Sequence, residues 1–164
     1  MWSQADEEEQ IIMNDFMAEL HNVQVPTNTD LKTAVLSDYM FINGQIIGED
    51  NLTVATTERT MMDTGALQAS FIRSDLVNKH PYLTSLLMPS RYTVTLGDGE
   101  ATIKSNKIIT INMILPDAQG KEKRIDGITF LVVDKLSCPI IIGLPQIIKK
   151  IPSIFISHFV AAMA

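Results

Sequence analysis

From residue 39 to residue 133, turn-forming clusters cut the chain into short β-prone runs, and this punctuation limits the fold more than any other feature of the sequence. Residues 39–47 are apolar and β-prone around Asn43-Gly44, a dipeptide favoured in tight hairpins. Residues 92–96 and 101–103 flank Gly97-Asp98-Gly99, a second expected hairpin. Residues 107–115 and 125–133 flank Pro116-Asp117-Ala118-Gln119-Gly120, a third. Residues 52–62 alternate loosely, residues 68–72 continue the strand character, and residues 74–88 mix helical and loop signals up to Pro89. Tyr92 reads as a core aromatic. Short strands separated by turns at this spacing predict an all-β barrel or sandwich.

The N-terminal part reads differently. Ser3 can cap a helix with Asp6 three residues on, and Ile12, Met13, Phe16, Met17 and Leu20 recur at helical spacing, a stripe that requires a partner. Val25-Pro26-Thr27-Asn28-Thr29-Asp30 is polar and turn-forming. The expected organisation is an acidic, helical extension or linker over 1–34, then one folded domain over 35–164 that includes the C-terminal tail. A chain of 164 residues is long enough for one such domain with its own core.

Charge follows the same division. Residues 1–58 hold 11 acids against one base, Lys32, a net of −10, while residues 59–164 hold 8 acids and 12 bases, a net of +4 spread along the chain. No basic stripe marks a nucleic-acid partner. Cys138 is the only cysteine, which rules out an intramolecular disulfide and points to a reducing compartment such as the cytoplasm. The first residues are acidic instead of basic and apolar, unlike a signal peptide. The uncharged residues 151–164 fall short of the roughly 20 that a membrane span requires, so no membrane partner is expected.

Few motifs carry chemistry. There is no G-x-S-x-G elbow and no phosphate loop, and His21, His80 and His158 stand apart without metal-ligand spacing, so neither metal nor cofactor is expected. What remains is Met61-Met62-Asp63-Thr64-Gly65-Ala66. An aspartate that leaves an apolar strand, followed by a small hydroxyl residue and glycine, is the arrangement aspartic proteases use; its bland counterpart is a strand end whose aspartate caps a turn. Later come Phe130-Leu131-Val132-Val133-Asp134 and Pro139-Ile140-Ile141-Ile142-Gly143-Leu144.

In that order these elements resemble the retroviral and retrotransposon aspartic proteases, the retropepsins, over roughly residues 38–150. Asp63-Thr64-Gly65-Ala66 resembles the catalytic loop, Ala69-Ser70-Phe71-Ile72 the strand after it, and Val94-Thr95-Leu96-Gly97-Asp98-Gly99 the flap stretch. Ile141-Ile142-Gly143 resembles the glycine element, with residues 144–150 as the short helix. The resemblance implies a closed β-barrel with one short C-terminal helix. Met61 and Met62, and a longer stretch between Ile72 and Tyr92, depart from the compact viral pattern.

One such loop is half an active site, so the resemblance implies a symmetric homodimer in which two copies of Asp63 share one proton and activate a water against a scissile peptide bond. By resemblance, Thr64 fixes the paired loops, Gly65 presents its amide to the carboxylates, Ala66 completes the loop, and Ile141, Ile142 and Gly143 support it from beneath. Leu96, Gly97, Asp98 and Gly99 would form the flap that closes over an extended substrate, apolar near the cut, such as a retroelement-type polyprotein. The alternative is a retropepsin-like domain kept for dimerisation or peptide binding without turnover. The uncharged tail Ser153-Ile154-Phe155-Ile156-Ser157-His158-Phe159-Val160 is β-prone and is expected as a strand at the dimer interface.

Overall fold

The computed structural model describes residues 40–95 and 102–163. The expected N-terminal helix, the linker, the domain start near residue 35 and the flap residues Leu96, Gly97, Asp98 and Gly99 lie outside the described residues. The elements run β1 (Phe41–Ile47), β2 (Thr53–Asp63), β3 (Phe71–Arg73), α1 (Ser74–Asn78), α2 (Pro81–Ser85), β4 (Met88–Thr95), β5 (Thr102–Pro116), β6 (Glu122–Val133), β7 (Ile140–Gly143), α3 (Leu144–Lys150) and α4 (Pro152–Met163). The strand order is β1-β2-β7-β3-β6-β5-β4, and a further β1–β5 pairing bends the sheet into a ring that leaves β4 outside, bonded to β5 alone. The molecule is mainly β, with short helices.

Two of the expected turns behave differently. The Pro116–Gly120 region is a reversal as its residues require: Asp117 Oδ1 accepts the backbone N–H groups of Gln119 (3.0 Å) and Lys121 (2.9 Å), and Gly120 takes φ +84°. Asn43-Gly44 is not a turn. β1 continues through it with a shift of register against β2 between Ile42 and Gly44, and Gly44 packs so closely on that neighbouring strand that a Cβ there would lie 2.6 Å from Thr60 Oγ1. The reversal comes four residues later, where Gly48 N–H donates to Leu52 O (2.9 Å) and Asn51 adopts φ 65°, a conformation asparagine tolerates. Across the undescribed segment, β4 and β5 pair antiparallel up to Thr95 opposite Thr102.

Alternation along the long strands builds the core. On β5, Ile109, Ile111, Met113 and Leu115 point inward at two-residue spacing, and on β6 Ile128 and Phe130 do the same. Met40 just before β1, Ile42 and Ile46 of β1, Met62 of β2, and Ile140 and Ile142 of β7 pack into the same core. Tyr92 is not a core residue: it is 53% exposed on β4.

The C-terminal tail departs most from its sequence expectation. Instead of one short helix and an interface strand, α3 is followed by a second helix, α4, and Ile154, Phe155 and Phe159 are buried in the chain's own core. Leu144, Ile147, Ile148, Ile151, Ile154, Phe155 and Phe159 recur at three- and four-residue steps, which gives one apolar face across both helices. β-branched residues lose a few tenths of a kcal/mol each in a helix, whereas burying one phenylalanine gains roughly 1.5–3 kcal/mol, so packing decides. Ser157 Oγ accepts Ala118 N–H (3.1 Å) and His158 Nε2 bonds Pro116 O (2.7 Å), which ties α4 to the β5–β6 turn.

Candidate functional site

Asp63 is the last residue of β2, and its position is set by the strand beside it. β2 and β7 run parallel with Thr60 opposite Ile140, Met61 opposite Ile141, Met62 opposite Ile142 and Asp63 opposite Gly143. Two segments 80 positions apart in the sequence are thus brought level. Beyond Asp63 the chain turns sharply: Gly65 N–H donates to Asp63 Oδ1 (2.8 Å) and Ala66 N–H to Asp63 O (3.2 Å). The carboxylate therefore organises its own turn, and it stays partly exposed, as does Thr64.

Gly143 lies against the return of that turn. A Cβ on it would stand 2.1 Å from Ala69 O and 2.8 Å from Ala66 O, closer than any side-chain carbon can approach a carbonyl oxygen. The backbones touch because only hydrogen occupies that place. Two hydrogen bonds lock the contact: Gly143 N–H donates to Ser70 Oγ (2.8 Å), and Leu144 N–H to Ala66 O (2.9 Å). Ser70 is itself 2% exposed, and its carbonyl accepts Leu131 N–H from β6 (2.8 Å). The Asp63 loop is thereby fastened to both β7 and β6.

A cleft of about 320 Å³ opens in front of the carboxylate. Asp63, Gly65 and Ala66 form one side, and Phe71, Val94, Ile103, Leu136 and Ile141 supply apolar walls. Several of these belong to a small second core with Leu131 and Val133, separate from the main one. Leu67 borders the cleft with 63% of its surface exposed. Gln68 and Val94 also line a neighbouring cleft of about 330 Å³ that reaches Gln146, whose buried Oε1 has no hydrogen-bond partner among the described residues. Leu136 is held in place by Arg73, whose Nη1 donates to Leu136 O (3.2 Å) while its Nε donates to Asp75 Oδ1 (2.7 Å). That guanidinium holds the Asp75 carboxyl below the usual carboxylate range. Burial pushes the Cys138 thiol up.

The structure thus brings together Asp63, Thr64, Gly65, Ala66 and Gly143, and it separates the two isoleucines before Gly143. Ile142 is in the main core, whereas Ile141 faces the cleft as a wall instead of a support beneath the loop. Phe71 and Val94 were placed by the resemblance only as parts of the strand after the loop and of the flap stretch, and Leu67, Gln68, Ile103 and Leu136 were not singled out, because neither a strand's alternation nor a loop's composition marks which side chains meet a cleft. Ser70 did carry a signal: a hydroxyl inside an apolar run needs a buried partner. Among the described residues no group of three or more His, Cys, Asp or Glu is placed to hold a metal ion, and no helix is long and apolar enough to cross a membrane. A scan against models of known protein families matches none, and a search of curated proteins finds no similar sequence.

Proposed function

We propose that the chain is an aspartic endopeptidase of the retropepsin type that acts as a symmetric homodimer. The observation that carries this reading is the Asp63 loop itself. A partly exposed carboxylate ends a strand, accepts the N–H of the second residue after it, and is held level with a glycine whose backbone touches the loop, all at the mouth of an apolar cleft. A turn-capping aspartate requires only the first two of these features, the strand end and the accepted N–H.

In the mechanism, two copies of Asp63 meet across a two-fold axis. At that distance like charges cannot both ionise, so the pair holds one proton. The ionised carboxylate takes a proton from a water as its oxygen attacks the scissile carbonyl carbon. The protonated member polarises the carbonyl oxygen, and a proton then passes to the leaving nitrogen as the C–N bond breaks. Gly65 N–H fixes the orientation of each carboxylate, which lowers the cost of assembling the pair. Leu67, 63% exposed beside the loop, is the side chain that a second copy would cover. The apolar walls of the cleft suit a substrate with large hydrophobic side chains next to the cut, and polyprotein processing is the corresponding role.

The test is cleavage of a peptide library by the purified chain at several pH values, with and without a pepstatin-type inhibitor. Asp63→Asn, nearly isosteric but unable to act as a base, should lower turnover by at least about 10²-fold while sedimentation still reports a folded dimer. Turnover that survives in Asp63→Asn would remove the assignment, and a folded, dimeric wild-type chain that cuts nothing would favour the non-catalytic alternative.

A further inference from the structure

A third and larger cleft, of about 580 Å³, lies between α1 and the β4–β5 pair, and no residue of the Asp63 loop lines it. Arg91 of β4 and Lys104 and Lys107 of β5 project into it from exposed positions, and among the described residues none of the three is ion-paired. The single carboxylate there, Asp134, already accepts the Ser74 hydroxyl (2.8 Å). Beside the cations Tyr92 is 53% exposed, and Met88 at the start of the same strand is 61% exposed. The surface therefore offers positive charge next to large uncovered apolar side chains.

One segment of the chain carries the complementary pattern. Residues 1–39 hold 8 acids and one base, a net of −7, whereas residues 40–164 hold 11 acids and 12 bases, so the acidic excess of the protein resides in this segment. Asp6-Glu7-Glu8-Glu9 is four consecutive carboxylates, and Ile12, Met13, Phe16, Met17 and Leu20 follow as an apolar stripe. We propose that the α1–β4–β5 cleft is the docking site for the chain's own acidic N-terminal segment, with residues 6–9 against Arg91, Lys104 and Lys107 and the apolar stripe against Tyr92 and Met88.

Reach and concentration permit it. The 30 residues between Glu9 and Met40 span up to about 100 Å when extended and about 30 Å as a coil, against a radius of gyration near 14 Å for a domain of this size. Tethering sets an effective concentration of order millimolar, so contacts too weak to hold a free peptide are enough. The ion pairs are at the surface, and salt screens them within about 8 Å at physiological ionic strength. A segment seated there bears on both strands that lead to residues 96–101. If the chain is the protease proposed above, this restrains the flap; the docking itself does not depend on that reading.

The test uses the full chain and reads no activity. A zero-length carbodiimide cross-linker joins carboxylates to lysines only where they touch, and mass spectrometry locates the links. Residues 6–9 should link to Lys104 and Lys107 at least fivefold more often than to Lys121 and Lys123, and 0.5 M sodium chloride should remove the preference. Arg91→Glu, at an exposed position and with both lysines retained, should reduce these links at least threefold without moving the melting temperature. Links spread evenly over the lysines, a preference for another site, or an Arg91→Glu pattern like wild type would overturn the proposal. So would links that join isotope-labelled to unlabelled chains as often as they form within one chain, since the occupant would then be a second copy.

Discussion

Replacing Gly143 by alanine puts the described geometry under the sharpest strain. The added carbon would start 2.1 Å from Ala69 O and 2.8 Å from Ala66 O, and both obstacles are backbone, so no side-chain rotation relieves the overlap. β7 or the Asp63 loop must move apart by more than an ångström. Overpacking of this kind costs roughly 1–3 kcal/mol. The separation also strains the Gly143–Ser70 and Leu144–Ala66 hydrogen bonds, each worth about 0.5–1.5 kcal/mol. The total is about 2–6 kcal/mol, a large share of the 5–15 kcal/mol typical of a domain. Gly65→Ala is the control, because its Cβ would meet only Asp63 Oδ1 at 3.1 Å, the movable end of a side chain, and should cost less than about 1 kcal/mol. Urea unfolding followed by fluorescence or circular dichroism reads both. A Gly143→Ala chain within about 0.5 kcal/mol of wild type, or one no worse than Gly65→Ala, would refute the close approach of β7 to the loop.

Other outcomes follow from particular contacts. Phe155→Ala removes a fully buried ring of α4 and should cost about 3–5 kcal/mol, seen as a melting point lower by on the order of 10 °C or more; a small shift would show that α4 does not pack as described. Asp75 is held below its usual pKa by Arg73, so its contribution is present above about pH 4 and is lost as pH falls through the depressed value; half-exposed, it is worth less than about 1 kcal/mol. Asp75→Asn should therefore lose stability relative to wild type at pH 6 and match it near pH 2 in urea titrations, and a difference that grows on acidification would contradict this. Cys138 is 1% exposed with its thiol pushed up by burial, so it should resist a thiol reagent at pH 8 and react fully on unfolding; rapid reaction in the native chain would show that the 134–139 loop opens.

What the sequence reveals depends on whether a residue's reason for being there is local. Pro116-Asp117-Ala118-Gln119-Gly120 was legible because aspartate and glycine make that turn by themselves. Asn43-Gly44 carries the same lettering, but its glycine answers to Thr60 on the next strand, a contact no local pattern displays. The tail misled for a related reason. Its isoleucines, phenylalanines and valine favour strands one at a time, while their three- and four-residue spacing favours a helix once a core exists to receive it. Asp63 and Gly143 could be picked out separately, each from its motif. Their equal register on parallel strands, the Ser70 hydroxyl that fastens them and the cleft walls from four other segments arise only from the topology.

The parallel pairing of β2 with β7 also has a consequence for biosynthesis. Asp63 leaves the ribosome 80 residues before Gly143, about 4–16 s earlier at ordinary elongation rates, and until β7 follows, the loop lacks the strand that sets its level. β1 and β2 can pair at once through their short connection, whereas the ring cannot close and the loop cannot be fastened until most of the chain is made. Nascent chains stalled before and after β7 should differ in protease resistance around residues 63–70; equal protection in both would show that the loop forms without its partner. The carboxylate on which the proposed chemistry depends is thus among the earlier parts to be synthesised and among the last to be put in order, a built-in delay between making that group and fixing its place.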